Sequence, residues 1–204
     1  MTRPHEDLRH HTPVDHRPAG PAIQFADGAW CVIDILHVKS ERAPAVVSAY
    51  ETLVEQARTS AAKAGNAVIL RSINDRRVVA ILEVGGHGAL AHIQASWDDH
   101  HLLAEHRTSA ESRGLALYHV VSTTGNCALD PASRSVYAFE HFPSAPQSVQ
   151  QLIDRSAAAQ GFLGAQLFAT DDGTKSFAIY HFEHREEIEA LRPNALAAHP
   201  VKTF

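Results

Sequence analysis

The feature that most constrains this chain is an internal repeat. Val32–Val38 (VIDILHV) resembles Val136–Phe142 (VYAFEHF), and the match places His37 opposite His141. Both segments read as strands because they are rich in β-branched and aromatic residues. Repetition at this scale is best explained by two copies of one supersecondary unit. We therefore predict two β-α-β-β-α-β units within a single chain.

A second pair of segments supports the same division. Ala91–Leu103 (AHIQASWDDHHLL) and Ser176–Ile188 (SFAIYHFEHREEI) each read as a strand that ends in an aromatic residue, followed by an acidic helix start. The alternation of residues in Ala89–Trp97 has strand period. In this preferred alignment the matched residues are Trp97 with Phe182 and Gly88 with Gly173.

A rival alignment also exists. It pairs Ala67–Asp75 (AVILRSIND) with Gly164–Asp172 (GAQLFATDD) and makes Leu90–His106 one long helix. We favour the first alignment because Asp98 is better placed to cap a helix than to lie inside one. The two alignments predict different structures for the segment around Trp97.

Composition narrows the class of protein. The chain has 204 residues, 45% of them hydrophobic, and a formal net charge of −5. Nucleic-acid binding normally needs a clustered basic face, so no nucleic-acid partner is expected. No run approaches the roughly 18 apolar residues of a membrane span, and the start lacks a signal-peptide core, so we expect a cytoplasmic protein. Only two cysteines are present, which excludes a disulfide framework.

The predicted organisation has four parts. Residues 1–26 read as a disordered tail that contains four of the 15 histidines, residues 27–123 as the first unit, 124–134 as a linker and 135–204 as the second unit. A helix is predicted over residues 43–64 from its apolar period. Asp171, Asp172 and Gly173 indicate a hairpin. The fold class is α+β, with ferredoxin-like units that form a dimeric α+β barrel with antiparallel sheets.

One motif resembles a known family. Trp97 and His106 in the run WDDHHLLAEH are similar to the strand-end tryptophan and helix-borne histidine of the antibiotic-biosynthesis-monooxygenase family. That resemblance implies a dimeric α+β barrel, here built from two tandem units, with a cavity between each sheet and its helices. Some members oxidise anthrones, quinols or polyketides with molecular oxygen and no prosthetic group. The resemblance therefore implies an aromatic substrate, O2 and no cofactor.

The resemblance and the repeat together select the candidate site residues. The predicted catalytic residues are Trp97, His106, His37 and His141, because histidine is a suitable base near neutral pH and an indole can wall an aromatic pocket. The predicted substrate-binding residues are His92, Gln94, Tyr180 and Phe182, which would share strand faces. No HExxH or CxxC motif is present, so no metal ligands are assigned.

The sequence also departs from the family pattern. Polyketide-oxidising members have an asparagine four residues before the tryptophan, where this chain has Ile93 in the first unit and Ala178 in the second. Two alternatives stay open for this reason: a haem-binding or haem-degrading protein, and a non-catalytic small-molecule-binding protein. The relatives that degrade haem carry their ligand late in the second helix of the unit, and at that position this chain is predicted to have Leu115 or Ala116 and no histidine. A homodimer formed through exposed sheet edges is a further expectation.

Overall fold

The computed structural model describes residues 20–60 and 62–204. The eight strands are β1 (Trp30–His37), β2 (Ala67–Ser72), β3 (Arg77–Val84), β4 (Ala116–Gly125), β5 (Val136–Phe142), β6 (Phe162–Ala169), β7 (Ser176–Phe182) and β8 (Leu196–Thr203). The helices are α1 (Ala43–Thr59), α2 (His87–Asp98), α3 (His101–Arg107), α4 (Pro146–Ala157) and α5 (Arg185–Leu191), with a short 3-10 turn at Ser40–Arg42. None of these helices is long and apolar enough to cross a lipid bilayer.

The strands close into one antiparallel barrel in the order β1-β3-β2-β8-β5-β7-β6-β4, and β4 returns to β1. The order β4-β1-β3-β2 of the first half is repeated by β8-β5-β7-β6 in the second. The halves join where β2 pairs with β8 and β4 pairs with β6. The predicted α+β class with antiparallel strands is confirmed, and β1 and β5 stand opposite each other across the barrel.

Alternate residues of each strand face the barrel interior or the outer helices. In β1, Ile33 and Ile35 belong to an interior cluster that both halves fill, whereas Val32 and Leu36 pack towards α1. The interior is rich in aromatic rings, with Phe177 lying 5.8 Å from Phe168 and 6.1 Å from Phe139 between ring centroids. One shared core therefore holds the two halves together.

The preferred alignment of the repeat is wrong. The segment predicted as the strand Ala89–Trp97 is helix α2, and the unit's second strand is β2. Its alternating pattern also places Ile93 and Trp97 four residues apart on one helix face, and these are the two residues of α2 that are buried. The remaining residues of that alternating pattern, Ala89, Ala91 and Ala95, are alanines, and alanine is the strongest helix former.

The rival alignment has the correct strand pairing, because β2 and β6 occupy equivalent places. Its single long helix is wrong, since the chain breaks between α2 and α3 at Asp99 and His100. Gly88 lies in α2 and is therefore not equivalent to Gly173, whose φ of +64° suits the β6–β7 hairpin. Trp97 on a helix is likewise not equivalent to Phe182 on β7.

Part of the predicted tail is folded. Residues 1–19, with their four histidines, lie outside the described residues, but residues 20–26 are ordered. Ile23 forms a backbone bridge with Leu129 of the predicted linker, and Phe25 is buried with its ring 6.1 Å from Phe168. Apolar side chains at alternate positions allow this segment to cover one part of the interior cluster, which composition alone did not indicate.

The shared interior predicts that the two halves unfold together. Phe177→Ala should lower the free energy of unfolding by about 3–5 kcal/mol, because it leaves a cavity among buried rings. Urea unfolding followed by far-UV circular dichroism and by tryptophan fluorescence should give one coincident transition. The matched control, Leu191→Ala, truncates a side chain that is 38% exposed and should have little effect. Separate transitions for the two probes would contradict the shared core.

Candidate functional site in the first unit

A buried polar cluster lies between the sheet and the helices of the first unit. Asp34 is on β1, faces α1 and is fully buried. The Tyr50 hydroxyl donates to its Oδ2 at 2.8 Å, and Arg107, at the end of α3, donates to the same oxygen at 2.5 Å. Arg107 also pairs with Asp98, whose carboxylate is half exposed. We call Asp34, Tyr50, Trp97, His106 and Arg107 the unit-1 cluster.

Burial controls the electrostatics of this cluster. It raises the pKa of Asp34, and the opposing effects of the Arg107 charge and the donated hydrogen bonds do not cancel that effect. Burial and the Asp34 charge together hold the pKa of Tyr50 well above its usual value, so that Tyr50 is a donor. Asp34 is consequently more basic than an ordinary surface carboxylate.

Several buried polar atoms of the cluster have no hydrogen-bond partner. They are Asp34 Oδ1, Trp97 Nε1, His106 Nε2 and Arg107 Nε. Buried polar groups in folded proteins almost always have a partner, so these four atoms, on β1 and on the helices that cover it, require an explanation. The set combines N–H donors with a carboxylate acceptor. A ligand with a carbonyl or enolic oxygen could accept from the donors, and an acidic hydrogen of the same ligand could be donated to the carboxylate.

Trp97 connects the cluster with a groove between α1 and α2. Its ring is fully buried, with its centroid 5.2 Å from that of Tyr50. The groove has a volume of about 190 Å³, and its lining includes Trp97, Ile93 and His92. An aromatic molecule in this groove would lie against the indole.

Two of the predicted catalytic histidines share a cavity. His37 ends β1 and His106 is on α3, and both line a space of about 500 Å³ beside the 3-10 turn. Burial and the nearby Arg77 lower the pKa of His37, although Glu111 at 3.5 Å opposes them. His141 is not part of this group, because β5 places it at another cavity in contact with both units.

The second unit repeats one element of the cluster. Arg192 follows α5, as Arg107 ends α3, and it donates to Glu140 on β5 at 2.5 Å. Its guanidinium lies 5.4 Å from the ring centre of Tyr180, whose hydroxyl is buried without a partner. Burial raises the pKa of Tyr180 to about 12. Phe182 is fully buried and packs edge-on against Phe162.

The strand face predicted for His92 and Gln94 does not exist. Both residues are exposed on α2. His92 still borders the α1–α2 groove, but Gln94 does not line it. Their substrate-binding role stays a prediction, as do the roles of the other candidate residues.

Sequence reasoning missed Asp34, Tyr50 and Arg107. One signal was present, because an aspartate at the centre of the apolar run VIDILHV is costly to bury without a partner. The partner itself could not be identified, since Arg107 lies 73 residues further along the chain. Tyr50 had no signal beyond its place on the apolar face of α1.

One group of potential metal ligands occurs among residues 20–60 and 62–204. Glu183, His184 and Glu187 bring one ligand atom each within 4.8 Å of one another near the start of α5. His184 and Glu187 form a capping box there, in which the Glu187 carboxylate accepts from the His184 N–H at 3.0 Å. Helix capping thus accounts for the arrangement of these two residues.

Comparison with known proteins places this geometry in context. No family model and no curated protein matches the sequence. A crystal structure described as an anthrone oxidase-like protein superposes with a TM-score of 0.66 at 13% identity, covering 90% of this chain and 96% of that one. The chain therefore shares its fold, a closed antiparallel barrel with outer helices, with that structure.

Two further structures share the fold. A proposed monooxygenase from Fusobacterium nucleatum superposes with a TM-score of 0.50 at 9% identity, covering 88% of this chain and 95% of that one. A chlorite dismutase variant from Candidatus Nitrospira defluvii has a TM-score of 0.51 at 10% identity, with coverages of 86% and 92%. Because the sequence identities are this low, the comparisons show the fold of the chain alone.

The raised pKa of Asp34 has a measurable consequence for stability. Between the ordinary aspartate pKa of 3.8 and the raised value, the folded state binds more protons at this site than the unfolded state. This contribution therefore favours folding at low pH and is lost as pH rises through that window. Asp34→Asn should remove it, so the stability of the variant relative to the parent protein should increase with pH.

Urea unfolding of both proteins at a series of pH values tests this expectation. The matched control is Asp98→Asn, which changes the half-exposed carboxylate on the same Arg107 guanidinium. A curve for Asp34→Asn that runs parallel to that of the parent protein would contradict the raised pKa of Asp34. The same slope in Asp34→Asn and Asp98→Asn would assign the effect to the Arg107 ion pairs as a whole and not to Asp34.

Proposed function

We propose that this protein is a monooxygenase that oxidises a small planar aromatic molecule with O2 at the unit-1 cluster. The observation that carries the proposal is the set of unpartnered buried donors and acceptors beside Trp97. The fold supports it, because the superposed structures include an anthrone oxidase-like protein and a proposed monooxygenase. An anthrone-like or quinol-like substrate suits both observations.

The proposed reaction converts an activated methylene group into a carbonyl group. Asp34 Oδ1 would remove a proton from the methylene carbon, and the electron pair would delocalise onto the substrate's oxygen. The N–H groups of Trp97 and Arg107 would stabilise that oxyanion, as preorganised donors do. The carbanion then reduces O2 and forms a carbon–oxygen bond, and the proton held by Asp34 passes to the resulting peroxide. The O–O bond breaks as the second methylene proton leaves, so that water is lost and the new carbonyl remains. One oxygen atom enters the product and the other enters water, so the substrate supplies all the electrons.

The proposed role of the unit-1 cluster accounts for the absence of the family's asparagine. Ile93 faces the same way as Trp97 on α2 and is buried, so it offers no polar contact. Asp34 and Tyr50 bring polar groups to the same sheet–helix layer from β1 and α1 instead. The chain would therefore reach the same kind of chemistry with different residues, and no organic cofactor is needed.

A haem-binding function is the second candidate, and one observation favours it. The late position in the unit's second helix holds His106. Leu115 and Ala116 are not on that helix, because Leu115 precedes β4 and Ala116 is its first residue. However, the cavity beside His106 is lined by Lys39, Glu41, Arg42 and Glu105, with Thr108 and Ser109. Ligand sites are mostly apolar, and a porphyrin needs two broad apolar faces, so these residues do not fit haem.

Oxygen uptake by the purified protein tests the proposal directly. With a panel of anthrones and hydroquinones and no added cofactor, we expect enzyme-dependent consumption above autoxidation. Asp34→Asn should lower kcat by about 100-fold or more, the usual contribution of a positioned base. Trp97→Phe should weaken turnover while retaining packing, whereas Trp97→Ala would empty a fully buried site at a cost of about 3–5 kcal/mol.

The histidines provide a matched pair of variants. His106→Gln alters a buried side chain of the unit-1 cluster and should reduce turnover, while His101→Gln alters an exposed histidine on the same helix and should not. Consumption that is equal in the Asp34→Asn and parent proteins would remove Asp34 from the mechanism. No consumption together with tight binding of an anthrone would instead establish a non-catalytic binding protein, and a Soret band on haem titration would favour the haem function.

A further inference from the structure

A second cavity lies at one end of the barrel, between the C-terminal parts of the opposite strands β1 and β5. Its volume is about 410 Å³. Ile35 of β1 and Phe139 of β5 line it and occupy equivalent positions in the repeated opening strands. Because β1 and β5 are opposite each other in the closed strand order, this space lies on the barrel axis. We call it the axial cavity.

The inner part of the axial cavity is apolar. Ile35 and Phe139 belong to the interior cluster and are almost fully buried, and Phe142 and Leu196 add further apolar surface. The volume lies within the range of small-molecule sites, about 300–1,000 Å³. A ring system of modest size is the kind of group that this part of the cavity would accept.

The outer part carries one arginine that is not paired with a carboxylate. Glu111 is paired with Arg77 at 2.7 Å, and Glu140 is paired with Arg192 at 2.5 Å, so both carboxylates at the cavity already have cations. Arg113 differs, since within the described part of the chain its guanidinium donates to the Ala110 carbonyl at 3.1 Å and meets no carboxylate. An exposed cation above an apolar space therefore remains without an anionic partner.

His141 is a polar neighbour within the same cavity. Burial and then the Arg113 charge lower its pKa, which favours the neutral imidazole at neutral pH. Neutral His141 offers one N–H donor beside the guanidinium. Asn194 adds a side-chain amide from the loop after α5. These groups complement an oxygen-rich head rather than a second cation.

We propose that the axial cavity binds a small aromatic carboxylate, with its ring between Ile35 and Phe139 and its carboxylate on Arg113. The guanidinium fork matches a planar carboxylate with two parallel hydrogen bonds. The ligand would contact both units, because Arg113 precedes β4 and Phe139 is on β5. This site is separate from the unit-1 cluster and does not depend on the proposed oxidation.

Isothermal titration calorimetry with 1-naphthoate and the uncharged 1-naphthamide tests the site. We expect the parent protein to bind the carboxylate more tightly than the amide. Arg113→Gln should weaken 1-naphthoate binding by about tenfold or more, since hydrogen bonds to charged groups contribute at this level. It should leave 1-naphthamide binding unchanged. The matched control, Arg155→Gln, removes an exposed arginine on α4 and should change neither affinity.

A second variant tests the apolar part. Leu196→Trp fills the cavity from a half-buried position and should abolish binding of both probes while the melting temperature is retained. Equal affinity for the two probes, or an unchanged 1-naphthoate affinity in Arg113→Gln, would overturn the proposal. Inorganic phosphate that binds as tightly as 1-naphthoate would also overturn it, because the apolar cavity would then contribute nothing. Oxygen uptake by Arg113→Gln should match the parent protein, which separates this proposal from the oxidation.

Discussion

Closure of the barrel is the constraint on which the rest of this structure depends. Either half alone would expose the backbone N–H and C=O groups of two edge strands, β2 and β4 in one half and β6 and β8 in the other. Pairing β2 with β8 and β4 with β6 satisfies both halves at once. Closure also leaves no free sheet edge among the described strands, so the homodimer expected through exposed edges would need another surface.

The repeat preserves the framework of the two units but not their chemistry. Each half holds an arginine from the end of its last helix against a carboxylate on its opening strand. In the first half the carboxylate is fully buried and shares its layer with Tyr50 and Trp97. In the second half Arg192 lies over aromatic rings, and Glu140 reaches the axial cavity. The two carboxylates are not equivalent in the repeat, because Asp34 matches Ala138 and Glu140 matches Leu36. Among the described residues, the first ion pair is the one that joins several unpartnered polar atoms.

The sequence predicted the regular parts of the fold well and the site poorly. Strands β1, β5 and β7 are predictable because their residues are rich in β-branched and aromatic side chains. Helix α2 is not predictable in the same way, because the alternating apolar residues of Ala89–Trp97 fit a strand as well as they fit a helix. That error moved Trp97, His92 and Gln94 onto a strand. The site depends on contacts such as Arg107 with Asp34, which join distant segments and leave no periodic signal in either one.

The path of the chain near its ends has a consequence for topology. Gly20 lies so close to Thr203 that a side chain there would collide with the Thr203 backbone, and Thr203 Oγ1 donates to the Pro21 carbonyl at 2.6 Å. The start of the described chain therefore adjoins the last strand, while residues 126–135, between β4 and β5, form the link between the halves. A circular permutant that joins these neighbouring ends and opens within that link would keep every strand pair of the barrel. The architecture thus does not depend on which half is translated first.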